Sequence, residues 1–172
     1  LVETRLRFAE AELQRALAAV QFGAGELPDL LRYAGRTVIG QGGDSVIAVF
    51  ADAPALPTAQ ADALRSWEGL AAALLTAKGE FRLKVTVAEG FPPRSAEKDR
   101  FIALLDALRH DQRLAAGLHG TRALPSPRYR DDEWSVLQAL ITVVRRAAAE
   151  LELLFARTGQ SDFTGLGQAA LR

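Results

Sequence analysis

Residues 131 to 157 read DDEWSVLQALITVVRRAAAELELLFAR, and this stretch decides the fold class. Trp134, Leu137, Ile141, Val144, Ala148, Leu151 and Phe155 recur at alternating steps of three and four, the period of one face of an α-helix. Three acids, Asp131, Asp132 and Glu133, fill the first turn, where negative charge complements the helix dipole. At ~1.5 Å per residue the rod is about 40 Å long. Its seam needs a long partner, so the expectation is antiparallel packing against the first helix and a helix over residues 58 to 77. Both tryptophans, Trp67 and Trp134, then lie on apolar stripes and belong to the core.

Working outward, the chain is rich in Ala and Leu and poor in β-branched residues, which favours helix nearly everywhere. Leu6, Phe8, Leu13, Leu17 and Val20 suggest a first helix over residues 2 to 20, ended by Gly23 and Gly25. A short helix over 27 to 33 closes at Gly35. Thr37, Val38 and Ile39 then read as β-like, before Gly40, Gln41, Gly42 and Gly43 and a helix over 45 to 51 capped by Asp44. Thr58 caps the 58 to 77 helix, whose stripe is Leu64, Trp67, Leu70 and Leu74. Gly79, Gly90, Pro92 and Pro93 punctuate the alternating Phe81, Leu83, Val85 and Val87. Ser95 restarts helix with Phe101, Leu104, Leu105 and Leu108 inward, and a shorter helix runs from Asp111 to about Leu118. The predicted fold is mainly α: an irregular multi-helix bundle with two long helices and a small extended or β-like excursion near residues 78-94.

The 172 residues carry 21 basic and 21 acidic side chains and no Cys. That leaves room for one core, or two small ones, and removes disulfides, thiol nucleophiles and thiolate metal sites. A reducing, cytoplasmic setting is expected. No apolar run approaches the ~20 residues that cross a bilayer, so no membrane partner is expected. The chain opens at Leu1, contains no Met, and reaches Arg172 inside what reads as a helix, so it reads as excised from a longer protein.

Catalytic patterns are weak. The Gly40 to Gly43 loop lacks the lysine of a P-loop and the third spaced glycine of a dinucleotide fingerprint, and reads as an ordinary loop. His110 and His119 match no metal spacing, and no Gly-x-Ser-x-Gly elbow exists. The chain by itself is read as no enzyme, with no catalytic residue, no metal and no cofactor.

Neutrality hides an asymmetry. Residues 1 to 70 hold six basic and nine acidic side chains (net −3), residues 71 to 130 eleven and six (+5), and residues 131 to 172 four and six (−2). Eighteen of the 21 basic residues are Arg, and Lys78, Lys84 and Lys98 all lie in the positive third. Arginine's donor fork suits phosphate oxygens, although Arg-rich codon usage gives the same composition. Phe91 sits in a Gly-Phe-Pro-Pro turn that no stripe claims, so it is expected to be exposed. Lys78, Arg82, Lys84, Phe91 and Arg94 together have the chemistry to grip a nucleic-acid backbone and rest on a base or sugar.

Longer motifs sharpen this reading. Leu74-Leu75-Thr76-Ala77-Lys78-Gly79-Glu80-Phe81-Arg82, then Val85-Thr86-Val87 and Gly90-Phe91-Pro92, resembles a segment of UvrD-like superfamily one DNA helicases of the RecB/AddA helicase-nuclease branch. Gln160-Ser161-Asp162-Phe163-Thr164, with Leu166 and Ala170-Leu171, resembles the Asp-Phe element shortly before Walker B in that family. The resemblance covers about residues 58 to 172.

It implies the helical 1B subdomain inserted in the first motor domain: a single accessory subdomain over 1-172, with residues 163-172 starting the return into the motor. Asp162 and Phe163 are then structural. ATP and magnesium are implied for the parent alone, since the Walker A lysine, the Asp-Glu pair and the arginine finger lie outside this chain. The implied partners are DNA, the parent's motor domains and a nuclease subunit; the implied activity of the parent is DNA unwinding, with exonuclease action, in repair and recombination. Lys78, Arg82 and Lys84 fall on the family's basic positions. A helical module docking a partner subunit, or another domain of the parent, through the 134 to 155 face is the competing reading. Exposure of that face would favour it. An independent enzyme using the glycine loop is the third.

Overall fold

The computed structural model describes residues 1–20, 25–127 and 131–158. It is mainly α, as expected, with six α-helices among the described residues. The chain divides into two compact units, Leu1–Pro127 and Arg128–Arg172.

In the first unit, α1 (Val2–Ala19) buries Leu6, Ala9, Leu13, Ala16 and Leu17 along one face and packs on α5 (Gln112–Thr121). Phe8 lies two residues from Leu6, about 200° around the helix, so it falls outside that face; it is exposed, with its ring edge toward Gly117 of α5.

The second helix, α2 (Glu26–Gly40), is twice the expected length. Gly35 does not end it. Instead a Cβ at Gly35 would lie 2.6 Å from the Ala51 backbone nitrogen, so the glycine lets α2 meet the 3-10 helix Val46–Phe50 backbone to backbone. The β-branched run 37 to 39 is therefore helical; burial of Val38 and tertiary packing outweigh its local preference. The helix ends in a Schellman motif, with Gly42 at φ 69°, its amide on Ile39 O at 2.9 Å, and the Gly43 amide on Val38 O at 3.0 Å. Ser45, not Asp44, caps the next turn, accepting from the Ile47 amide at 3.4 Å.

The helix expected over 58 to 77 is shorter. A 3-10 turn Ala61–Ala63 leads into α3 (Leu64–Leu74). Thr58 serves through its carbonyl, which accepts from Trp67 Nε1 at 2.8 Å. The predicted stripe of Leu64, Trp67, Leu70 and Leu74 is buried, against α5 and the Val46–Phe50 turn. Then α4 (Ala96–Leu108) starts at Ser95, whose Oγ accepts from the Lys98 amide at 3.2 Å, and buries Phe101, Leu104, Leu105 and Leu108 as expected.

One ionic chain ties α1 to α5. Glu12 is buried and accepts from Arg15 Nε at 2.8 Å and Arg113 at 2.7 Å, while Arg15 also grips both oxygens of Asp111, the α5 N-cap.

The second unit contains α6 (Asp131–Thr158), a 28-residue helix. Here the expected burial of its seam is overturned. Trp134 is 47% exposed, Ile141, Val144 and Leu151 are also exposed, and Leu137 and Phe155 are half-buried. A second apolar row, Val136, Leu140, Val143 and Leu154, is exposed beside it. The core role expected of Trp134 is thus corrected; within the first unit α5 packs on both α1 and α3. The expectations for residues 159 to 172, including Asp162 and Phe163, lie outside the described residues.

Candidate nucleic-acid interface

The excursion after α3 is built by backbone pairing. Leu75 and Phe81 form an antiparallel bridge; Thr76 N donates to Glu80 O at 2.8 Å, Gly79 N to Thr76 O at 3.1 Å, and Arg82 N to Leu74 O at 2.9 Å. Gly79, at φ 84°, supplies the left-handed turn residue beneath the His119 ring, where a Cβ would come within 2.8 Å of Cγ. Phe81 and Val85 point into the core and Leu83 is 65% exposed between them, the alternation expected of a one-sided strand. Thr86 and Glu89 form a reciprocal capping box on the 3-10 turn Val87–Glu89.

Lys78 stands at the tip of the turn and Lys84 on its return limb, both exposed and without an ion-pair partner among the described residues. Arg94 is also exposed and without an ion-pair partner among the described residues, at φ 63° just before α4. The other two candidates are engaged internally.

Arg82 is half-buried; its Nε donates to Ala72 O at 3.0 Å and its Nη1 lies 3.0 Å from Glu89 Oε1. Phe91, expected to be exposed, is fully buried, stacked on Phe101 at 4.4 Å between centroids and tilted on Tyr33 at 6.2 Å. It cannot rest on a base. The cause is Gly90: at φ 86° its missing Cβ, which would lie 2.2 Å from Ala34 O, lets the chain meet α2 and turn Phe91 inward.

The positive surplus of residues 71 to 130 is also partly consumed. Arg109 pairs with Asp106, Arg113 with Glu12, and Arg122 turns onto α3. Arg122, which sequence reading did not single out, donates from Nη1 to Thr76 O at 2.7 Å and from Nη2 to Ala71 O at 2.7 Å and Leu75 O at 3.2 Å. Burial, and secondarily the charge of Arg82, lowers its pKa. Arg82 thus adds a donor to Ala72 O, and Arg122 adds a second donor to Ala71 O and Thr76 O, which already accept from the Leu75 and Gly79 amides.

The amides of Gly42 and Gly43 are spent on the helix cap, so the glycine loop offers no open cradle there. Among the described residues no cluster of three His, Cys, Asp or Glu could hold a metal, and no helix is long and apolar enough to cross a membrane. No protein-family model, curated protein or solved structure matches the chain.

Proposed function

We propose that this chain is the helical accessory subdomain of a UvrD-like superfamily one DNA helicase, of the RecB/AddA helicase-nuclease branch, acting in cytoplasmic DNA repair and recombination. Its part is to hold DNA phosphates while the motor domains of the parent, with ATP and magnesium, do the work. The observation that carries this reading is the 74 to 92 segment: the stretch that resembles the family folds as a pinned loop whose two lysines, Lys78 and Lys84, are exposed and without an ion-pair partner among the described residues. Arg94 is the third exposed cation of the candidate set, and Arg82 holds the loop. Binding of this kind is electrostatic and blind to sequence, with no covalent step. Titrating duplex and single-stranded DNA into the wild type and a Lys78→Glu, Lys84→Glu, Arg94→Glu variant tests it. Binding should collapse in the variant; equal affinity would overturn the reading.

The exposed double row on α6 favours a second role in the same parent, docking another domain or a nuclease subunit. Val144→Glu with Leu151→Glu should abolish association with the remainder of the parent and leave the DNA titration unchanged; retained association would remove this role.

A further inference from the structure

Lys78 and Lys84 lie on one short excursion, so their separation depends on how firmly that excursion is fastened. Three fastenings are present. Backbone pairing closes the turn, through the Leu75–Phe81 bridge and the Thr76 to Glu80 hydrogen bond. Arg82 ties the return limb to Ala72 O from within the loop itself. Among the described residues, Arg122 is the one guanidinium that reaches it from another helix, contacting Thr76 O and Ala71 O across 46 and 51 residues of sequence.

We infer that Arg122 is a positioning residue for DNA: its fork on the Ala71, Thr76 and Leu75 carbonyls fixes the root of the 76 to 84 loop and so sets where Lys78 and Lys84 meet phosphates. The inference rests on the proposed DNA-gripping role, and it places a determinant of affinity on a residue with no phosphate contact of its own. Nη1 and Nη2 of a planar guanidinium hold their donors on two separate nitrogens, whereas the three donors of an ammonium radiate from one. The same end of α5 presses the His119 ring on Gly79, so the helix covers the turn at two points. The charge of Arg82 acts against that of Arg122, and Arg82 is itself paired with the Glu89 carboxylate at 3.0 Å. Without Arg122, the Thr76 carbonyl keeps its bond from Gly79, and the loop is left to its backbone pairing and to Arg82.

The test uses the 172-residue chain with Arg122→Lys, which keeps the charge and loses the fork, and Arg122→Gln as a second variant. Amide hydrogen exchange at Thr76, Gly79 and Arg82 should accelerate at least about tenfold, with the amides of α1 and α4 unchanged. DNA affinity should fall about three- to tenfold. In a Lys78→Gln, Lys84→Gln background the same substitution should cause no further loss, a non-additivity that general destabilisation would not produce. Loop amides as protected as in the wild type, or a full affinity loss in the Lys78→Gln, Lys84→Gln background, would overturn the inference. A wild type that binds no DNA, with the loop amides still released in the variant, would instead retire the DNA-gripping role and leave Arg122 as a structural fastening.

Discussion

Gly35→Ala tests the packing that lets α2 run to Gly40. On propensity alone, alanine in a helix interior is favoured over glycine by about 1 kcal/mol. The structure opposes this. The new methyl would lie 2.6 Å from Ala51 N and 3.0 Å from Phe50 C, both backbone atoms that no side-chain rotation can move. Overpacking of this kind costs about 1–3 kcal/mol, and a contact with backbone falls in the upper part of that range. The net expectation is destabilisation of about 1–2 kcal/mol. Gly40→Ala supplies the control, because a Cβ there meets nothing within 4 Å and only the propensity gain remains. Urea unfolding followed by the fluorescence of buried Trp67 reads both, with Trp134 replaced by Phe to remove the exposed indole. A midpoint lowered in Gly35→Ala and held or raised in Gly40→Ala agrees; a Gly35→Ala protein as stable as its parent would refute the close approach of α2 and the Val46–Phe50 turn.

Phe91→Ala should cost about 3–5 kcal/mol, as expected for a fully buried aromatic stacked on Phe101, and thermal unfolding measures it. Phe91→Leu, which stays apolar and keeps much of the volume, should fold and bind DNA like the wild type; selective loss of DNA binding would return Phe91 to the interface. Burial pushes the Asp111 pKa up, but the Leu114 amide, the Arg15 guanidinium and the Arg113 amide outweigh it, so the net shift is downward. A carboxylate lowered in the folded state contributes stability that is complete above the unfolded value of about 3.9 and is lost as pH falls through the lower folded value. Asp111→Asn should therefore be less stable near neutrality and show a shallower loss of stability below about pH 4; parallel acid limbs in the two proteins would contradict this.

The stripes of α3 and α4 were legible because burial there repeats locally: Leu64, Trp67, Leu70 and Leu74, then Phe101, Leu104, Leu105 and Leu108, each declare an inward face within one helix. The Ser95 cap and the excursion after residue 78 were legible for the same local reason. Gly35 was not. Whether a glycine ends a helix or admits a neighbour depends on the Phe50–Ala51 backbone, 15 residues on. Phe91 was misread as exposed because its partners, Tyr33 and Phe101, come from two other helices and leave no periodic trace around it. Arg82 and Arg122 carry the same charge as Lys78 and Lys84, and composition cannot separate cations that cap carbonyls from cations that face solvent. In α6 the spacing revealed an apolar face correctly, but amphipathicity does not say what covers it, and the seam expected to be buried is exposed.

The central claim concerns three exposed cations, Lys78, Lys84 and Arg94. Three phosphate contacts imply a log–log salt slope of about −2.7 on duplex DNA, or roughly a 40-fold loss of affinity between 50 and 200 mM salt. Measuring the dissociation constant of one duplex across that range, by fluorescence anisotropy on the wild-type chain, is the most direct test. A slope near that value that falls toward zero in the triple Glu variant is the predicted result; binding that ignores salt, or no binding at the lowest salt, would contradict the account.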